Sequence, residues 1–512
     1  MTSSLQLSRR GFLGASGIAL GAMLLTSCTP AAKPAPGASG PSEMFWSGKP
    51  MVLGDDPFAV RQAKKLYDLE LRTVSVSAQD YMTRLQALLV GGDIPDLMWI
   101  AYPNQVQQFA KQGVVAELTR ELIAERAPTL NADIDDKWSQ GWAYQFVDGK
   151  NYGIPTPNPI GRFSSGSMWR TDLLQQVGID TPPDTLDDAE DAFAELKKAG
   201  ILGMTTEGSI YNLAFHTIFG AYGAMPTAWQ IIDGDIINGA VSDQARDALE
   251  RLNGWYRAGY IDTEFATTES GAQKSKLTSG AAAFYDYAPF NSLREADPSS
   301  LLTVARSTNP NATMEFVRSF EGPGGRGAWA WGTAGNTYAF SPEFAKDSGK
   351  LGAALDILED IYADEAKSTL FTLGEEGTHY ELTDASAGLA GGFSYVGDFN
   401  DVANRDAEGL NSFFGIPRWD VADYSRFPDP TVLDGQAELR GDTIVDYFGK
   451  ASVVPGSSTY WANLINLKLT AYTEFVNGTR SISDWDTFVE QWNANGGSEL
   501  QSGAQKLADE LG

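Results

Sequence analysis

The only two histidines, His216 and His379, stand far apart in a chain of 512 residues. Zinc sites built on imidazole usually need more nitrogen ligands at closer spacing. A Ser-His-Asp triad would need an exposed nucleophilic serine, and no G-x-S-x-G string accompanies either histidine. Both therefore read as ordinary core or surface histidines. Glu375 and Glu376 are adjacent carboxylates. Glycoside hydrolysis needs two carboxyls facing one bond, about 5–10 Å apart, and sequence neighbours need not share a face. Asp233-Gly234-Asp235 lacks further oxygen ligands at the spacing of a calcium loop and reads as a hairpin turn. The glycine-rich stretch from Gly322 to Gly335 lacks the lysine and following hydroxyl of a phosphate loop and reads as a tight hairpin. On these patterns no catalytic residue, no metal and no cofactor is expected.

The remaining reactive group is Cys28, the single cysteine of the chain. Leu25-Thr26-Ser27-Cys28 resembles a lipobox, where a signal peptidase cuts ahead of a lipidated cysteine. Upstream, Arg9 and Arg10 precede an apolar run from Phe12 to Leu25, shorter than the roughly 20 residues that span a bilayer. That layout is a secretory signal. Ser8-Arg9-Arg10-Gly11-Phe12-Leu13 resembles the twin-arginine export signal. Residues 1–27 are thus expected to be a signal peptide. Residues 28–43 are expected to be a lipidated cysteine and a flexible spacer rich in Pro, Ala, Gly and Ser. The protein should lie outside the cell membrane of a bacterium, touching it through the lipid alone. With Cys28 lipidated no disulfide can form, and a chain of this size does not need one.

Acidic residues outnumber basic ones 66 to 38, giving a net charge of −28. Such a surface repels nucleic acid and anionic headgroups. Apolar residues make up 43 % of the chain, enough for sizeable cores, and the length suggests two large lobes. The elements that would position a site alternate. Leu71 to Val76 alternates as a strand does. Asp80 opens a helix with Tyr81, Leu85, Leu88 and Leu89 on one face, and Gly91-Gly92 stops it. Leu97 to Ile100 reads as a buried strand. Strand, helix, strand implies a parallel crossover and an α/β lobe. Thr185 and Asp188 have capping-box spacing at the head of another helix, which Gly200 ends. Ser242 caps a third, followed by Gly259. Leu351 to Tyr362 marks a fourth. Ser483 and Asp486 repeat the capping box before Trp485, Phe488, Val489 and Trp492, with Gly496-Gly497 as the stop. Residues 390–445 carry no assignable period.

Strings scattered along the chain resemble family 1 extracellular solute-binding proteins of ABC transporters, in particular the aldouronate-type carbohydrate- and oligosaccharide-binding lipoproteins. They are YMTRLQALLVGGDIPDL at 81–97, VDGKNYGIP at 147–155, the W-R-x-D-L-L segment within 168–190, NGWYRAGYIDTEF at 253–265, residues 276–283, LGEEGTHY at 373–380 and SDWDTFVEQWNANGG near the end. The resemblance implies an α/β fold of two lobes, periplasmic-binding-protein-like (type II), with a hinge and an interlobe ligand cleft. Lobe 1 would hold 44–160 plus 290–338, and lobe 2 would hold 161–289 plus 339–512. Crossings would lie near 157–166, 285–292 and 332–342. The implied partners are a small-molecule carbohydrate and the permease subunits of an ABC importer, for a non-enzymatic, monomeric receptor. A same-fold receptor for a peptide or polyol, and a secreted glycoside hydrolase, are the alternatives.

A sugar presents apolar C–H faces and a hydroxyl rim, so aromatic rings and planar polar groups should hold it. In open α/β sheets such groups sit at strand ends. The expected ligand contacts are Trp46, Trp99 and Tyr102 near the first strands, and Trp169 and Arg170 past the first crossing. Tyr285, Asp286 and Tyr287 form a ring–carboxylate–ring cluster. Trp329 and Trp331 come from the glycine-rich stretch, and Glu376 and Tyr380 from LGEEGTHY.

Overall fold

The computed structural model describes residues 43–159, 166–206, 215–268, 270–288, 290–293, 299–330, 332–426, 428, 442–449 and 453–511. The signal segment, Cys28 and the spacer lie outside the described residues, as do Trp331 and the side chain of Tyr287.

In chain order, the strands that matter for the site are β1 (Glu43–Ser47), β2 (Glu70–Thr73), β3 (Leu97–Ile100), β4 (Ile154–Pro157), β5 (Gly166–Arg170) and β6 (Leu202–Thr205). They continue with β7 (Ala282–Ala288), β8 (Met314–Val317), β9 (Ala328–Ala330), β10 (Ala334–Phe340) and β11 (Thr443–Val445). Two main sheets result. The first has the order β2-β1-β3-β10-β4 and the second β8-β5-β7-β6. β1, β2 and β3 run parallel, and β10 runs antiparallel to β3 and β4. In the second sheet β7 and β6 are parallel, while β5 opposes both β7 and β8.

The helices form for the reasons their sequences give. Tyr81–Gly91 buries Tyr81, Leu85 and Leu88 and ends at Gly92, whose φ of 75° suits glycine. Thr185 heads Leu186–Lys198: its hydroxyl accepts from the Asp188 N–H at 3.0 Å and donates to the Asp188 carboxylate at 2.8 Å. Ser242 caps Asp243–Ala258, and Gly259 closes it in the left-handed region. The Asp233-Gly234 turn joins an antiparallel hairpin with φ of 55° and 94°, as a two-residue turn requires.

Several expectations are corrected. The glycine-rich stretch makes its tight antiparallel turn only at Gly322–Gly325; beyond it β9 pairs in parallel with β11 and forms no hairpin. The capping near Trp485 comes from Ser481, which accepts from the Ser483 N–H in a short 3₁₀ turn. Gly496-Gly497 bends the chain, and a further helix follows, Ser498–Leu511. After β7 the chain does not cross at 285–292. It returns to the second sheet, because β8 pairs with β5 from Met314↔Arg170 to Val317↔Ser167. Residues 314–317 therefore sit with the second sheet, outside the group 44–160. Within 339–512, the helix Ser348–Ala363 packs on the helices Arg120–Arg126 and Pro128–Lys137, which come from the first group.

Candidate functional site

Strand registers define two edges, one in each main sheet. The carboxyl ends of β1, β3 and β4 lie together with the start of β10, since Thr337 pairs with Ile100 and Ala334 with Pro157. The carboxyl ends of β6, β7 and β8 lie together with the start of β5. One connection, 158–165, joins β4 to β5. Another, 318–333, joins β8 to β10. By chain order each leads from one edge to the other, with residues 160–165 outside the described residues. Ligands of open α/β sheets bind outside the carboxyl ends of strands.

The crossings are fastened to each other. The Asn158 N–H donates to the Thr333 carbonyl at 2.6 Å, and the Thr333 hydroxyl donates to Gln140 Oε1 at 3.1 Å. The loop after β11 closes on the same place. Asp446 accepts from the Trp229 N–H at 2.8 Å and from the Phe448 N–H at 2.9 Å. The Tyr447 N–H donates to the Trp229 carbonyl at 2.7 Å. A Cβ on Gly332 would lie 3.2 Å from the Gly449 carbonyl oxygen, which fixes how closely loop and crossing approach. Tyr447 is left 40 % exposed on this loop, its ring perpendicular to Phe448. Arg318, one residue past β8, grips Asp442, one residue before β11, through both carboxylate oxygens at 3.0 and 2.6 Å.

The second edge holds a buried relay. Asp286, near the end of β7, is wholly buried, and its Oδ1 accepts from the Thr206 hydroxyl at 3.0 Å. Burial pushes its carboxyl up to about 7, against the opposing pull of the Thr206 hydrogen bond and of backbone N–H groups at the head of the next helix. His216 lies in that helix. Its Nδ1 accepts from the Trp329 N–H at 3.1 Å, so the ring proton is on Nε2, which donates to the Asp286 carbonyl. Burial pushes its pKa down to about 4. A neutral imidazole thus ties the end of β7 to β9 on the crossing. Asp446 is likewise pushed up to about 7 by burial.

The sequence candidates divide sharply. Trp46, Trp169, Arg170 and Tyr285 are at most 1 % exposed, which leaves no surface for a ligand. Trp46 packs on Tyr338 and Phe414. Trp169 packs among Phe193, Phe284 and Phe320. It also lies with Arg170 at the far end of β5, away from the crossings. Arg170 forks onto Asp172 at 2.8 Å through two nitrogens and donates to the Leu277 carbonyl at 2.6 Å. The Tyr285 hydroxyl accepts from Gln273 at 2.9 Å. Trp99 is half-buried edge-on against Tyr81. Trp329 is buried beside Met225 and Ala228. Tyr380 is buried against Phe393 in a small hairpin, and Glu376 is exposed in the turn before it. Among the described candidates Tyr102 alone combines position and exposure: it sits two residues past β3, 58 % exposed. Asp286 sits at the right edge but faces inward. Sequence reasoning missed the roles of His216, Thr206, Asp446 and Tyr447, because they rest on partners 70 or more residues away.

Comparisons with known proteins agree with this architecture. Residues 59–297 match the family described as bacterial extracellular solute-binding protein. The polygalacturonan/rhamnogalacturonan-binding protein YtcQ of Bacillus subtilis (strain 168) is 24 % identical over 454 residues, 86 % of each chain. Lipoprotein LipO of the same organism is 23 % identical over 517 residues, 95 % of this chain and 96 % of its own. An extracellular solute-binding protein from Bifidobacterium longum subsp. infantis superposes with a TM-score of 0.65 at 14 % identity, covering 92 % of this chain and 98 % of that one. The likeness in fold is that of two-lobed α/β binding proteins.

Proposed function

We propose that the chain, whose residues 59–297 match the bacterial extracellular solute-binding protein family, captures an oligosaccharide outside the cell for an ABC importer. The observation that carries this reading is a pair of carboxyl strand edges joined in sequence by two crossings, with Tyr102 exposed at one and the Asp286–His216–Trp329 relay at the other. A ligand seated there touches both lobes, so its binding favours their closure. The sugar specificity recorded in the name of YtcQ supports carbohydrate as the ligand class. The protein acts as a receptor and not as an enzyme. A lipid on Cys28 holds it at the outer face of the membrane, where it passes its cargo to permease subunits. The resemblance of LipO, a lipoprotein matched over nearly its full length, supports the anchor.

A ligand that binds only the folded state raises stability by RT ln(1 + [L]/Kd), about 2.7 kcal/mol at a hundredfold excess over Kd. A thermal-shift screen of mono- and oligosaccharides beside peptides and polyols is expected to show a rise with an oligosaccharide. A rise with a peptide or polyol and none with any sugar overturns the reading. Release of sugar from a chromogenic glycan panel would show an enzyme instead.

A further inference from the structure

Away from the strand edges, one cation is enclosed in the molecule. Lys468 lies midway along the helix Ser457–Asn477 and is 2 % exposed. Its Nζ donates to the Pro226 carbonyl at 2.8 Å. Among the described residues this is its one hydrogen bond, and no carboxylate pairs with it. Lys64 and Lys367, by contrast, each pair with carboxylates. Lysine is almost never fully buried without a partner, and a buried charge left uncompensated is destabilising. Burial alone pushes this ammonium down to about 7. A leucine or methionine would cover the same helix face without that cost.

Lys468 and Pro226 both line a cavity of about 40 Å³. That is room for about three non-hydrogen atoms, since a water needs about 10–15 Å³ of such space. The other walls are mainly apolar. Phe215 and Phe219 come from the segment that carries His216, Leu249 from the helix Asp243–Ala258, and Phe265 from the turn after it. Phe215 packs on Phe265 with ring centroids 5.2 Å apart, and Phe219 stacks on Tyr472 at 5.5 Å. Phe215 also holds a φ of 62°, a conformation that a bulky residue keeps only where its surroundings impose it. Tyr472 is the other titratable group on the wall. Its hydroxyl donates to the Ala240 carbonyl at 2.8 Å, and burial pushes its pKa up, so it stays neutral. Thr473 adds a hydroxyl. The cavity thus offers one positive charge, the ammonium N–H groups beyond the one given to Pro226, and flat apolar walls.

We propose that this cavity is a second ligand site, separate from the strand edges, and that it takes a small monovalent anion of the size of formate or acetate. A carboxylate brings two acceptor oxygens to the N–H groups of Lys468, and its hydrogen or methyl end meets the rings. A divalent oxyanion brings more charge than one lysine balances and more oxygens than the cavity holds. A sugar is far too large, so the site stands or falls apart from the carbohydrate reading. Its place in the fold gives it reach. The helix His216–Ala221, which forms one wall, opens with the histidine that ties β7 to β9. Pro226 shortly precedes Trp229, whose N–H holds Asp446 in the loop after β11. An anion seated here braces the segment on which both contacts depend.

The experiment adds sodium formate to the full chain in weak buffer. The anion favours the charged ammonium, so at pH 8, above the value of about 7, each chain should take up close to one proton and the solution should turn more basic. At pH 6 the ammonium is already charged, and the uptake should fall about fivefold or more. The response should saturate, and formate should raise the melting temperature. Lys468→Met should abolish the uptake and flatten the rise in melting temperature. The proton measurement needs no variant, so it decides the matter even where Lys468→Met fails to fold. Sodium sulfate at equal ionic strength is the control. Equal responses to formate and sulfate would be an effect of ionic strength and would overturn the site. The same follows from no uptake at pH 8, from an uptake that never saturates, or from a melting rise that persists in Lys468→Met.

Discussion

At the residue scale, Asp286 and His216 have opposite pH signatures. The carboxyl of Asp286 is raised from its ordinary value to about 7. Its contribution to stability is therefore complete below pH about 4 and is lost as pH rises through about 7. His216 is lowered from 6.5 to about 4. Its contribution is complete above about 6.5 and is lost as pH falls through about 4. Each swing amounts to about 3–4 kcal/mol at most, and the two oppose each other in one window. Urea unfolding between pH 4 and 7.5 separates them. His216→Gln, which can still donate and accept, should remove the acid-side loss. Asp286→Asn should gain on the wild type as pH rises. Parallel pH slopes for wild type and variants would show that neither group titrates as described. Asp286→Ala should destabilise the unliganded fold, because it strips the Thr206 hydroxyl of its buried acceptor, a loss of about 1–3 kcal/mol.

Residue type alone did not tell core from site. Trp169 and Tyr285 were legible as large rings near strand ends, but the face each presents depends on packing against Phe193, Phe320 and Gln273 from distant segments. Trp169→Ala should cost about 3–5 kcal/mol of stability, read as a fall in melting temperature without ligand. A variant that melts normally yet loses ligand would return Trp169 to the site.

At the element scale, local signals carried well. Thr185 with Asp188, Ser242 with Gly259, and Asp233 with Gly234 each fix a cap or turn within a few residues. What could not be read is held from far away. Within residues 390–445, Gly54 donates to the Ala407 carbonyl and the Phe58 N–H to Glu408, and no period marks such contacts. The missed crossing is of the same kind, since the return of β8 beside β5 is a pairing 144 positions apart at Met314↔Arg170. Gly332 shows how tightly the true crossing is built. Its φ is 86°, and an added Cβ would also press on the Gly449 carbonyl. Gly332→Ala should cost about 1–2 kcal/mol through the left-handed backbone alone. It should also weaken ligand binding several-fold, because the loop carrying Tyr447 must shift. Calorimetry beside thermal melting separates the two effects. An unchanged Kd would mean that this loop takes no part in the cleft.

At the scale of the whole molecule, the proposed anchor and the cleft serve one task. A receptor that must meet a permease gains encounter frequency from confinement to the same surface, and a flexible tether sets the effective concentration through its length. The proposed spacer, Thr29 to Ser42, would set by its length how far the body can reach from the membrane. The described strands and crossings all lie from Glu43 onward, so the proposed anchor and ligand binding should separate cleanly. Cys28→Ala should move the protein from the membrane fraction to the medium or supernatant, leave Kd for the ligand within twofold, and lower uptake of labelled sugar by whole cells. Retention of the variant in the membrane fraction would place the attachment elsewhere than Cys28. Loss of binding in the released protein would mean that the spacer takes part in the fold. Unimpaired uptake with a released receptor would show that diffusion alone supplies the permease, and the tether would then need another purpose.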